Sequence, residues 1–173
     1  MFRRLSFALT PGAACHITGA NGAGKTTLIR AVAGLTTPYA GTVVRTGALA
    51  LLDERTGLDP DLPLGRALAF WFGLDGADEA ATIMARLRLD PLAEVPVRYL
   101  STGQKKRAAL ARVLGQQAPI WLLDEPLSGL DTASQGLVST LVREHCEGGG
   151  TALIASHQPL DVPGMTSFAI EDF

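Results

Sequence analysis

The chain has 173 residues, enough for one domain with a sizeable core. Hydrophobic residues make up 47% and charged residues 18%, and the formal net charge is −2, which gives no general pull toward nucleic acid or anionic lipid. No apolar run approaches the roughly 20 residues needed to cross a bilayer, so any action on a membrane is expected to go through a partner.

The N-terminus, Met1-Phe2-Arg3-Arg4, carries two positive charges with no long apolar stretch behind them, and no signal peptide is read there. A strand is expected over Ala14–Thr18, running into a glycine-rich turn and a helix over Lys25–Ala33 that stops at Gly34. Residues 42–44 and 48–52 read as short strands, and 53–63 as a loop dense in Asp, Gly and Pro. From 64 to 89 the pattern turns helical, with Ala80, Ile83, Met84 and Leu87 on one face. A further helix is expected over 103–114. Residues 120–123 are wholly apolar, as in a strand buried on both sides of a parallel sheet. Leu137, Val138, Leu141 and Val142 form another helical stripe, broken at 148–150 before a last buried strand over Thr151–Ala155. Strands alternating with helices predict an α/β fold with a mainly parallel sheet, formed as a single domain over 1–173 with a helical insertion at about 60–100.

Gly19-Ala20-Asn21-Gly22-Ala23-Gly24-Lys25-Thr26, followed by Thr27, matches GxxxxGK[ST] between an expected strand and an expected helix. Glycines let the backbone curl until several N–H groups converge on phosphates, at the favourable end of the helix dipole. Lys25 would reach the terminal phosphates, and Thr26 would offer its hydroxyl to Mg²⁺. The strand at 120–123 ends in Asp124-Glu125, at the sheet edge where open α/β folds bind ligands. Asp124 would hold Mg²⁺ and Glu125 would polarise an attacking water.

Leu100-Ser101-Thr102-Gly103-Gln104 lies 23 residues before Asp124. It resembles the LSGGQ signature of the ABC ATPases, with Thr102 in place of the first glycine. Ser128-Gly-Leu-Asp131 looks like that family's D-loop, and His157 like its switch histidine. The resemblance implies a P-loop ATPase fold of ABC type with a shortened N-terminal β region, ATP and Mg²⁺ as ligands, and hydrolysis with Glu125, His157 and Lys25 at its centre. It also implies a head-to-tail homodimer in the ATP-bound state. Each nucleotide would lie between one subunit's phosphate loop and the other's Ser101, Thr102, Gly103 and Gln104, with Asp131 nearby. Integral membrane permease subunits would be driven by the cycle from the cytoplasmic side of the inner membrane. Two departures stand out. The family's glutamine near 53–56 is replaced by Asp53-Glu54-Arg55-Thr56, with Arg55 or Glu54 as candidate substitutes. Only 18 residues precede Gly19, so the first strand and the adenine-stacking aromatic are absent or reduced to Phe2.

With 76 positions from Lys25 to Ser101, this is a compact member. The Gly57-Leu58 loop and His157-Gln-Pro-Leu160 resemble the haem exporter ATPases of cytochrome c maturation. That implies service to a haem-handling membrane complex without direct haem binding, and no nucleic acid partner. The chain lacks CxxCH, and His16, His145, Cys15 and Cys146 are expected to be structural. Phe70-Trp71-Phe72 reads either as core or as a groove for a membrane subunit's helix. The alternatives are a small ABC transporter ATPase with another cargo and a non-transport ABC ATPase.

Overall fold

The computed structural model describes residues 4–173; Phe2 lies outside the described residues. Among the described residues five strands form one sheet: β1 (Ala14–Thr18), β2 (Leu49–Leu52), β3 (Ile120–Asp124), β4 (Thr151–Ala155) and β5 (Thr166–Ala169). Their order is β2-β3-β4-β1-β5, and every pairing is parallel. The helices are α1 (Lys25–Ala33), α2 (Leu64–Asp75), α3 (Ala80–Arg86), α4 (Thr102–Gly115) and α5 (Thr132–Glu147).

Successive strand residues point to opposite faces, so an apolar run feeds two cores at once. Cys15, Ile17, Leu122 and Leu153 meet Leu28 and Ile29 of α1 on one face. Ala14, Trp121, Leu123 and Ile154 meet Leu110 and Val113 of α4 and Val138, Leu141 and Val142 of α5 on the other. Between β2 and α4 the chain forms α2, α3 and two single 3₁₀ turns, Asp90–Leu92 and Val97–Tyr99. Leu64, Leu68, Phe72, Ile83 and Leu87 from this stretch join the second core.

Three local expectations differ from the structure. Residues 42–44 form no strand: Val43 is 41% and Val44 89% exposed, so there is no covered face to support one. The helical stretch from 64 is two helices, because Gly76 ends α2 in the left-handed conformation at φ 68°. Strand β5 was not anticipated. Thr-Ser-Phe-Ala is short and only half apolar, as a sheet-edge strand can be, and it is held by its register against Cys15–Thr18 of β1.

Candidate active site

The phosphate-loop motif occupies the turn from β1 into α1. Gly24 is the N-cap of α1 with φ 111°, a conformation open to glycine, and it leaves the first N–H groups of the helix without a side-chain cap. Thr26 and Thr27 are exposed, as are Ala20, Asn21 and Gly22, whereas Gly19, Ala23 and Gly24 are half-buried. Lys25 is only 6% exposed. Its ammonium donates to the carbonyls of Gly19 at 2.7 Å and Ala20 at 3.1 Å, and it lies 3.9 Å from Glu125 Oε1. The Ala20 N–H donates to Glu171 Oε1 at 2.5 Å, so a carboxylate beyond β5 braces the start of the loop.

Strands β2 and β3 pair Leu52 with Leu123, which brings Asp53 beside Asp124, the last residue of β3. Asp124 is 5% exposed and its Oδ1 has no hydrogen-bond partner. Burial pushes its carboxyl above the usual carboxylate range, against the opposing pull of the Thr26 hydroxyl. An orphaned, buried carboxylate oxygen beside a threonine hydroxyl is a donor set that fits a hard divalent cation. Glu125 follows in the left-handed region at φ 47°, a strained conformation for a side chain of this type, with its N–H held by the Ala155 carbonyl at 2.8 Å. Just beyond β4, His157 places Nδ1 2.8 Å from Glu125 Oε2. A carboxylate only accepts, so the ring donates from Nδ1. Lys25, Thr26, Asp124, Glu125 and His157 therefore gather at one edge of the sheet.

The signature residues and Asp131 form a second cluster. Ser101 is the N-cap of α4 in a capping box: the Gln104 N–H donates to Ser101 Oγ at 3.2 Å, and the Ser101 N–H to Gln104 Oε1 at 2.8 Å. Gly103 packs so closely on the 128–131 loop that a Cβ there would lie 2.8 Å from the Gly129 carbonyl. Asp131 caps α5 by accepting from the Ser134 N–H at 2.7 Å, a bond that holds its carboxyl below the usual range. Ser101, Thr102, Gly103, Gln104, Arg107 and Asp131 line a cavity of about 360 Å³ that no phosphate-loop residue borders.

Two residues of the site region were missed in the sequence. Lys106, on the α4 face that continues through Leu110 and Val113 into the core, stands within electrostatic reach of Asp124, Glu125, Glu54 and Asp53. Burial lowers its ammonium pKa while those four carboxylates oppose the shift. It is a cation beside the segment where Arg55, which is exposed, was a candidate. Arg112 donates to the Thr56 carbonyl at 2.6 Å and lies 3.7 Å over the Trp71 ring, and Trp71 Nε1 donates to the Gly57 carbonyl at 3.0 Å. The 53–58 segment is thus clamped from α4 and α2. The only sequence signal for Lys106 was a cation at helical spacing from the apolar Leu110 and Val113, and Arg112 carried no signal of its own.

The sequence profile of the ABC transporter family matches residues 2–128, well over half of the chain. The chain belongs to the ABC transporter family. As a member it is an ATP-binding protein whose activity is ATP hydrolysis coupled to transport. It is 53% identical over 173 residues to the cytochrome c biogenesis ATP-binding export protein CcmA of Novosphingobium aromaticivorans, covering all of this chain and 89% of that protein. It is 47% identical to the CcmA of Zymomonas mobilis, covering all of this chain and 79% of that one. Among solved structures, an ABC transporter ATP-binding protein of Pyrococcus furiosus superposes with a TM-score of 0.85 at 22% identity, over 99% of this chain and 91% of that one, which shows the shared fold.

Proposed function

We propose that this ATPase energises a membrane complex that exports haem for c-type cytochrome biogenesis, and that the residues of the two clusters carry out its cycle. The cargo rests on the full-length similarity to cytochrome c biogenesis export proteins. The hydrolytic chemistry rests on one observation, the convergence of Lys25 and His157 on Glu125.

In this reading Lys25 leaves the Gly19 and Ala20 carbonyls for the β- and γ-phosphates, which the N–H groups of the loop and of the α1 terminus also bind. Thr26 and Asp124 would hold Mg²⁺, which neutralises phosphate charge when bound. The Glu125 carboxylate orients a water and takes its proton as the oxygen attacks the γ-phosphorus and the bond to ADP breaks, a role worth typically about 10²–10⁴ in rate. His157 keeps that carboxylate aimed. In the ATP-bound homodimer, Ser101 and Gly103 of a second copy, at the α4 N-terminus, cover the γ-phosphate. Among the described residues no helix is long and apolar enough to cross a membrane. The site of action is the cytoplasmic face of the inner membrane, through integral permease subunits.

The test is haem staining of c-type cytochromes in source cells carrying Lys25→Ala. All covalent haem signal should vanish while the apoproteins are still made. Normal cytochromes c would move the ATPase to another cargo.

A further inference from the structure

A line of side-chain amides joins the two clusters, and nothing in the hydrolytic scheme above uses it. Gln135, in the second turn of α5, donates from Nε2 to the Leu130 carbonyl at 3.1 Å and to Gln158 Oε1 at 3.2 Å. The amide NH₂ has two hydrogens, one for each acceptor. Gln158 Nε2 lies 3.4 Å from His157 Nε2, and the Gln158 backbone N–H is tied to Ser156 Oγ at 2.9 Å. His157 then reaches Glu125 through Nδ1.

The direction of every bond in this line is pinned at both ends. The Leu130 carbonyl only accepts, so Gln135 must present its NH₂ there and, with the same group, to Gln158. Gln158 must then present its oxygen to Gln135 and its NH₂ to the histidine. At the far end the Glu125 carboxylate also only accepts, which puts the ring hydrogen on Nδ1 and leaves Nε2 with the lone pair that Gln158 needs. Reversing either amide would set donor against donor or oxygen against oxygen. The two ends agree.

We propose that Gln135 and Gln158 are positioning residues that tie the 128–131 loop to His157 and hold its ring with the hydrogen on Nδ1, facing Glu125. Leu130 and Asp131 line the same cavity as Ser101 and Gly103. A change in what fills that cavity is thereby passed to the histidine and carboxylate at the other cluster. In a dimer this links the nucleotide held against one copy's signature to that copy's own hydrolytic pair. The inference rests on His157 and Glu125 acting in hydrolysis as proposed above.

The experiment uses Gln158→Ala, Gln135→Glu, the double variant and Gln135→Lys in the full chain. Melting temperature, ATPase kinetics and the ¹⁵N resonances of the His157 ring are measured for each. Gln135→Glu keeps the shape but offers only acceptors to two acceptors, whereas a lysine ammonium at 135 can still donate to both. The wild-type ring should show the Nδ1–H tautomer, and Gln158→Ala a measurably larger share of Nε2–H, with Glu125 still favouring Nδ1–H. Gln158→Ala and Gln135→Glu should each lower kcat roughly tenfold with little change in KM. The double variant should be no slower than the slower single, and Gln135→Lys should recover most of the kcat that Gln135→Glu loses. Losses that multiply in the double variant, or an unchanged tautomer share in Gln158→Ala, would overturn the proposal. So would an Nε2–H tautomer in the wild type, which needs no variant to fold. A wild-type chain without ATPase activity would sink the functional proposal, while the tautomer would still decide the relay.

Discussion

Gly103 is where a single methyl group meets backbone. Its Cβ would lie 2.8 Å from the Gly129 carbonyl, and that neighbour cannot rotate away as a flexible side chain could. Gly103→Ala is expected to push α4 off the 128–131 loop at a cost of about 1–3 kcal/mol. For a domain of this size that is a fall in Tm of roughly 2–10 °C, with ATP hydrolysis reduced as the cavity opens. Gly136 is the control, since a Cβ there would meet nothing within 4 Å. In the middle of α5, Gly136→Ala should raise Tm through about 0.5–1 kcal/mol of helix propensity. Calorimetry on both variants checks the pair, and a Gly103→Ala protein as stable and as active as the wild type would show that the contact is slack. The Thr102 side chain sits on the other side of the same contact, with its Cγ2 2.9 Å from where a Gly129 Cβ would be. The departure from the family's glycine therefore has Gly129 as its local counterpart.

At the scale of elements, the aromatic triplet on α2 separates into three environments. Phe72 is 5% exposed and belongs to the core, Trp71 is held by Gly57 and Arg112, and Phe70 is 64% exposed. The core reading thus holds for Phe72, and Phe70 alone of the three stays exposed enough for the docking reading to be put to the test. Trp71→Ala should cost about 1–3 kcal/mol through lost packing and the lost N–H bond. Phe70→Ala should leave Tm within a degree or two and weaken association with membranes that carry the permease subunits. Thermal melts and membrane co-sedimentation read the two effects, and unaltered sedimentation of Phe70→Ala would remove the docking role. Legibility follows the same division. The strands at 120–123 and Thr151–Ala155 were plain because burial on both faces leaves an unbroken apolar run. The phosphate loop and Asp124-Glu125 were legible because their chemistry calls for set residue types at a strand end and a strand-to-helix turn, and His157 only through its resemblance to the family's switch histidine. Strand β5 was hidden because edge position imposes no such run. Lys106, Arg112 and the Gln135–Gln158 pair were hidden because their partners lie on other elements, and a polar residue on a helix carries no mark of what it will face.

For the whole molecule, two histidines, His16 buried and His145 half-buried, bear on the acid side of stability. His16 is 6% exposed, with Nε2 donating to the Ser156 carbonyl at 3.0 Å, and His145 stacks on Trp121 with ring centroids 3.9 Å apart. Burial pushes both imidazoles below their ordinary value of 6.5. They stay neutral in the fold at a pH where the unfolded chain already takes up protons, so acid favours unfolding. Their contribution is complete above about pH 6.5 and is lost progressively as pH falls from there toward the folded values. Tm should drop on acidification through this range, and His145→Phe, which keeps the stack on Trp121, should flatten the slope. A variant slope equal to the wild type's would place the acid sensitivity elsewhere.

The position of β1 also has a consequence during translation. This strand carries the phosphate loop and lies between β4 and β5, so Ala14 finds its first sheet partner only at Ala152. At about 5–20 residues per second, the ribosome needs roughly 7–30 s to supply that partner. Throughout that time the early, apolar strand emerges with unpaired backbone on both edges, and the nucleotide loop it bears has no fixed base. ATP cannot assist the nascent chain through its own pocket in that interval. A holding chaperone at the tunnel exit would have the segment Ala14–Thr18 as its natural target.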